Sequence, residues 1–259
     1  MEDYTQYKKR YDRDGFVLIR NFLSADECGP LFTALDRYIL EVVPSIPDES
    51  AFYQDKSRPE SLKQLQHLEK HEPYFEGYCS HPKWNVLAST LIGEEAHTLG
   101  PKWMDKPPKT DHPTPPHQDN FYFKFNPPHV ASVWMAIDSV DERNGGLRYI
   151  PGSHQRGIRP HALTSVLGFS QGITDYCSKD EEMEKIVDME PGDVVVHHGE
   201  IIHRADPNQS TTRHRRAFAM VYYGVSCKVD EEAKQLHIKE FKNQHREMGL
   251  DTETSVING

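Results

Sequence analysis

The 259-residue sequence predicts a single α+β domain, mainly β, in which helices buttress a β-sandwich or barrel. Two observations predict it. Helical signals dominate residues 1–95, and residues 96–228 consist of short apolar runs separated by glycine, proline and asparagine turns. The length also suits one large core.

Residues 5–13, TQYKKRYDR, are polar and helix-compatible, and Asp14-Gly15 punctuates them. FVLIRNFL (16–23) reads as a short buried strand. In SADECGPLFTALDRYILEVV (24–43), Ser24 and Glu27 have capping-box spacing, and Leu31, Leu35 and Ile39 form the apolar stripe of a helix. Residues 44–60 read as loop, and 61–93 as helical segments broken near Pro73 and Pro82. Strand candidates follow in HTLGPKWMD, HQDNFYFKF, ASVWMAIDSV, GLRYIPGSH, DVVVHHG and RRAFAMVYYGVSC. Asn144-Gly145 has the signature of a hairpin turn, and Pro151-Gly152 and Pro191-Gly192 mark further turns. A polar helix is expected over 230–250.

The net charge of −10 argues against a nucleic-acid partner held on a basic face, and an aromatic content of 10% is enough to build a core. Cys28, Cys79, Cys177 and Cys227 form no CxxC pair, so reduced thiols are expected. With no apolar signal core and no window long enough for a membrane span, the expected location is cytoplasmic. The oligomeric state is not legible.

Chemistry concentrates in two stretches. If 117–125 is a strand, His117 and Asp119 project from one face and Gln118 from the other. With a further histidine they would make a 2-His-1-carboxylate triad with open positions, the arrangement that suits non-haem Fe(II). By itself the HxD pattern is weak, since the chain has 15 histidines. The second stretch, EPGDVVVHHGEIIHRADPN, offers His197, His198 and His203, and composition does not choose among them. Beyond it, TTRHRRAFAMVYY carries Arg213, Arg215 and Arg216. Strand alternation puts Arg215 on the face of Ala217 and Ala219, whose small side chains leave room for a ligand, and Arg216 on the opposite face.

Taken together and in order, KPPKTDHPTPPHQDNFYFKF, VWMAIDSVDERNGGLRYIPGSH, EPGDVVVHHGEIIHRADPN and RHRRAFAMVYY resemble the phytanoyl-CoA dioxygenase family of Fe(II)- and 2-oxoglutarate-dependent oxygenases. The resemblance runs over about residues 8–226. It implies a double-stranded β-helix, a jelly-roll of the cupin-like kind, with supporting helices. It implies His117, Asp119 and His203 as metal ligands, with His198 nearby and His197 facing away. It implies Arg215 as the partner of the distal carboxylate of 2-oxoglutarate, Trp134 beside the co-substrate, and Lys63 and Lys102 as further cofactor-binding positions. Relatives often carry methionine at the position of Lys102 and serine at that of Ala205.

The activity so implied is hydroxylation of an unactivated C–H in a small-molecule or acyl-thioester substrate. It consumes O2 and 2-oxoglutarate, releases succinate and CO2, and uses ascorbate as a supporting reductant. Because Asp119 is present, the resemblance favours hydroxylation over halogenation. Two other readings remain at this stage: a catalytically silent family member acting as a regulatory or binding protein, and a zinc hydrolase with the same ligands. Tyr122 and Phe123 are expected on the substrate side, one of them filling core instead, and His161 and the segment 165–180 are expected to form a loop over the mouth of the site.

Overall fold

The computed structural model describes residues 3–47, 50–55, 57–163, 171–236 and 239. The chain opens with helix α1 (Thr5–Asp14), strand β1 (Phe16–Ile19) and helix α2 (Ala25–Arg37). It continues through β2 (Ala51–Tyr53), β3 (Leu62–Gln66), α3 (Leu68–His71), α4 (Pro73–Cys79) and α5 (Pro82–Ile92). Then come β4 (Ala96–Lys106), β5 (Thr114–His117), α6 (Asn120–Phe123), β6 (Phe125–Asn126), β7 (Val130–Ala136) and β8 (Leu147–Tyr149). The last are β9 (His161–Leu163), β10 (Gln171–Ile173), α7 (Ser178–Met183), β11 (Lys185–Val187), β12 (Val194–His198), β13 (His203–Ala205), β14 (Arg215–Gly224) and β15 (Lys228–Val229).

Local chemistry accounts for the helix ends. Ser24 and Glu27 complete the expected capping box of α2, each side chain taking the other's backbone N–H. Gly15 stops α1 in the left-handed region at φ 81°. Residues 61–93 are not wholly helical, because Leu62–Gln66 pairs with β4 as a strand. Pro73 and Pro82 begin α4 and α5, where a missing N–H is harmless. Of the expected C-terminal helix, residues 231–236 are helical; the remainder, apart from residue 239, lies outside the described residues.

Two antiparallel sheets face each other. Among the described residues, the larger runs β1-β12-β7-β14-β4-β3-β2 and the smaller β11-β8-β13-β5. Helices α1, α2, α4 and α5 cover the outer face of the larger sheet, where Leu31, Phe75, Trp84 and Leu87 meet Met135, Val196, Phe218 and Met220. A second core, including Trp134, Ala136, Tyr149, Ala205, Ala217 and Ala219, fills the space between the sheets. This is the jelly-roll arrangement with supporting helices, α+β and mainly β, as expected.

Strand β14 shows how one sequence serves both layers. Phe218, Met220 and Tyr222 point to the helices, while Ala217 and Ala219 point between the sheets. Both faces are covered, so the strand reads as a continuous apolar run rather than an alternating one. Asn144-Gly145 does not make a hairpin. The chain there crosses from β7 in the larger sheet to β8 in the smaller one, and the Asn144 amide donates to the carbonyls of Ser139 and His214. The dipeptide's readiness for positive φ, 91° at Gly145, is used for a crossover.

Replacing Phe218 with alanine would empty a fully buried position under the helices. The expected loss is about 3–5 kcal/mol, read as a lower urea midpoint with little change in slope. A loss below about 1 kcal/mol would show that this layer collapses around the gap.

Candidate metal centre and its anion pocket

Strands β5 and β13 pair antiparallel with His117 directly opposite His203. Their ring centroids lie 4.1 Å apart. Each Nδ1 is within hydrogen-bonding distance of a backbone carbonyl two residues earlier in the chain, 2.8 Å to Pro115 and 3.1 Å to Ile201. Donation there fixes the tautomer and leaves each Nε2 lone pair for the site. The two Nε2 atoms lie 3.6 and 3.7 Å from Asp119 Oδ1. His117, Asp119 and His203 therefore offer three ligand atoms within 4.8 Å of one another.

Asp119 reaches this place by a route that differs from strand alternation. β5 ends at His117, and Asp119 has helical backbone angles at the start of α6. The expected strand over 117–125 is thus a strand end followed by a helical turn. Gln118 still points away, for a different reason. Its amide donates to the carbonyls of Gly157 and Glu200 and accepts from the Arg159 N–H, which uses it up as a brace.

The second carboxylate oxygen of Asp119 is also held. Ser132 Oγ donates to Oδ2 at 2.6 Å, and His197 Nε2 lies 3.1 Å from the same atom. Tyr149 OH sits 3.1 Å from His197 Nδ1. Burial pushes the Tyr149 phenol well above its usual range, so it remains a donor. The proton order follows: Tyr149 donates to Nδ1, and the His197 Nε2–H donates to Asp119. Burial alone would raise the Asp119 pKa, but His203, His117 and His197 hold it well below the usual carboxylate range. His203 stays neutral well into acid, because burial and the neighbouring His117 outweigh the pull of Asp119.

The sequence expectation for the histidine pair is corrected here. His197 faces the site and His198 faces away, beside Tyr11 and His154. The pairing of β12 with β7 sets His197 opposite Ser132, and both then reach Asp119. Burial lowers the His198 pKa to about 3.

At the other end of β14 the three arginines separate by partner. Arg213 pairs with Asp141 and Arg216 with Asp138. Arg215 is 4% exposed, and among the described residues it has no ion pair, with its Nε buried and unbonded. Burial lowers its pKa to about 10. It shares the inward side of β14 with Ala217 and Ala219, and its guanidinium carbon lies 5.5 Å from the centre of the Trp134 ring. Directly opposite on β4 is Lys106, a buried lysine that sequence reasoning missed. Its ammonium donates to the carbonyls of Ala205 and Asp206, and burial, with Arg215 beside it, holds its pKa well below the lysine range. Asp105 and Asp138 act on Arg215 only at a distance, and two neighbouring buried cations, with no ion pair to Arg215 among the described residues, would be stabilised by an anion.

Lys63 is half-buried on β3, and burial lowers its pKa. Lys102 is half-buried on β4, opposite Ala219. Tyr122 approaches the metal site, its ring 6.4 Å from that of His117, while Phe123 packs into a small core with Phe125, Val130 and Val221. His161 stacks on Phe121. Within the expected mouth segment, residues 165–170 lie outside the described residues. All four cysteines are unpaired. Among the described residues no helix is long and apolar enough to cross a membrane.

A family model described as phytanoyl-CoA dioxygenase matches residues 11–217. The chain belongs to the phytanoyl-CoA dioxygenase family. The peroxisomal phytanoyl-CoA dioxygenase of Rattus norvegicus is 27% identical over 86% of this chain and 69% of its own length. A probable alpha-ketoglutarate-dependent hypophosphite dioxygenase of Stutzerimonas stutzeri is 24% identical over 86% of this chain and 79% of its own. Among solved structures, EctD from S. alaskensis with 2-oxoglutarate and 5-hydroxyectoine superposes with a TM-score of 0.71 at 16% identity, covering 88% of this chain and 78% of that one. The epimerase SnoN, with Fe3+, alpha ketoglutarate and nogalamycin RO, gives 0.69 at 20% identity, covering 86% and 84%. These structures share the fold, and this family member has a His-Asp-His cluster between its sheets.

Two outcomes follow from this geometry. Ser132→Ala removes one of the two groups holding Asp119 Oδ2, and Mn(II) affinity should fall roughly 10–100-fold by calorimetry. Unchanged affinity would show that His197 holds the carboxylate unaided. In metal-free protein, unfolded His198 takes up a proton below about pH 6.5 while folded His198 does not, so stability falls as pH falls. His198→Gln should flatten that loss by up to about 1.4 kcal/mol per pH unit in urea titrations between pH 6.5 and 4.5. An unaltered slope would exclude His198 as the cause.

Proposed function

We propose that the protein is an Fe(II)- and 2-oxoglutarate-dependent hydroxylase of a small-molecule or acyl-thioester substrate. His117, Asp119 and His203 would hold the metal, and Arg215 would bind the distal carboxylate of the co-substrate beside Trp134. The observation that carries this reading is the pairing of a three-residue cluster that could hold a metal with a buried arginine that has no ion pair among the described residues, between the same two sheets. A zinc hydrolase would use the cluster but gives Arg215 no task.

Fe(II) with bound 2-oxoglutarate supplies O2 activation, ending in C–H oxidation with release of succinate and CO2. The chain's own groups make that site possible. The Nε2 atoms of His117 and His203 and the ionised carboxylate of Asp119 would hold the metal and leave room for co-substrate and O2. Arg215 presents a planar fork suited to two parallel hydrogen bonds with a carboxylate. Lys106 adds a second positive charge beside it. Ala217 and Ala219 leave the space between. Trp134 walls that space and fixes the approach of the guanidinium.

Succinate release from 2-oxoglutarate under aerobic conditions tests the reading. Wild type should release succinate with Fe(II), and His117→Ala and Asp119→Ala should not. Arg215→Ala should raise the 2-oxoglutarate requirement about 100-fold, as loss of a buried charge-assisted pair does. Arg216→Ala, whose guanidinium sits on Asp138, should change it less than about threefold. Turnover that survives in Asp119→Ala, or an Arg215→Ala variant with unchanged 2-oxoglutarate affinity, would defeat the assignment. A product one oxygen atom heavier than the substrate identifies hydroxylation.

A further inference from the structure

Gln118 stands between His117 and Asp119 and is fully buried. Its backbone N–H belongs to neither neighbouring element, because β5 ends at His117 and α6 begins at Asn120. A backbone donor at that depth, with no ladder or helix to receive it, needs a side-chain acceptor. His161 is that acceptor: the Gln118 N–H donates to its Nε2 at 3.2 Å. The other ring nitrogen, Nδ1, lies 2.7 Å from the carbonyl oxygen of Arg159 and donates to it. That second bond fixes the tautomer and leaves the Nε2 lone pair to Gln118.

The stretch 157–161 grips the same residue by its side chain. The Gln118 amide donates to Gly157 and accepts from the Arg159 N–H, and its other donor goes to Glu200, in the turn that leads to His203. The strap so formed is anchored at its far side. The Arg159 guanidinium bonds Asp175 and Asp180, and His161 opens β9 opposite Ile173 of β10. The partner strand is held to the ligand turn as well, since Tyr122 OH donates to the Gln171 carbonyl at 2.7 Å. The His161 ring also lies on that of Phe121, with centroids 4.1 Å apart and planes 13° from parallel. The imidazole therefore has a fixed place from which to hold the Gln118 N–H.

We propose that His161 is a positioning residue for the metal centre. Its Nε2 sets the plane of the peptide that joins His117 to Gln118, and with it the angle at which the His117 imidazole and the Asp119 carboxylate converge. The inference rests on the reading of His117, Asp119 and His203 as a metal site, to which His161 contributes no ligand atom. Groups of this kind, one step behind the ligands, govern affinity because a site held loosely must order its ligands when the metal arrives.

Calorimetric titration of the full chain with Mn(II) tests this on wild type, His161→Phe and His161→Gln. Phenylalanine keeps a ring to lie on Phe121 and removes the acceptor. Glutamine gives up the stacking and returns an amide oxygen near the place of Nε2. His161→Phe should bind Mn(II) about tenfold or more weakly than wild type, and His161→Gln within about threefold of it. Unchanged affinity in His161→Phe overturns the proposal. An equal loss in both variants also overturns it, because the packing of the ring then matters and its lone pair does not. The wild-type protein supplies a second readout that does not depend on either variant folding. In mildly alkaline buffer the nitrogen NMR shifts of His161 should show Nδ1 protonated and Nε2 bare, and the opposite tautomer overturns the proposal. Wild type that binds no Mn(II) defeats the metal reading of the cluster, and this inference with it.

Discussion

One half-buried carboxylate organises this molecule. Asp119 keeps its charge between two sheets, where burial favours the neutral form, because three histidines and a serine converge on its two oxygens. Those groups come from β5, β7, β12 and β13, which belong to both sheets. The jelly-roll is therefore the frame that brings four strands to one ionised group. Without it a carboxylate at that depth would take up a proton and lose its value as a ligand.

The rest of the interior follows from the same electrostatics. The negative centre lies at one end of the inward face of the larger sheet, and the buried pair Arg215 and Lys106 at the other. Ala217 and Ala219 lie along β14 between them. Small residues at those positions cost packing energy that larger ones would supply, and a strand built only for stability would not use them. The outer face of the same strand does the reverse, with Phe218, Met220 and Tyr222 filled in by α4 and α5. Stability is concentrated on the helical side, and space and charge on the other.

Much of this was legible in the chain. Ser24 and Glu27 announced a helix start, β14 announced a buried strand, and HQD with a later histidine announced the His-Asp-His cluster. The physical reason is that these signals are local or periodic: a cap, an alternation, a short spacing. The errors were also local readings overruled by pairing. The histidine doublet 197–198 has no intrinsic orientation, and only its register with β1 and β7 turns His197 inward. Asn144-Gly145 fits a hairpin as well as the crossover it makes. Leu62–Gln66 became a strand because β4 offered it an edge.

The sequence by itself determined the fold class, the family and the types of residue the site uses, since these depend on patterns within a few residues or on motifs in a fixed order. The tertiary structure decided which histidine supports Asp119, which of three arginines has no ion pair among the described residues, and that Lys106 stands beside Arg215. Each of these is a question of partnership across strands distant in sequence. A charge becomes a binding site only when folding buries it and leaves it unmatched, and that depends on every neighbour the fold supplies.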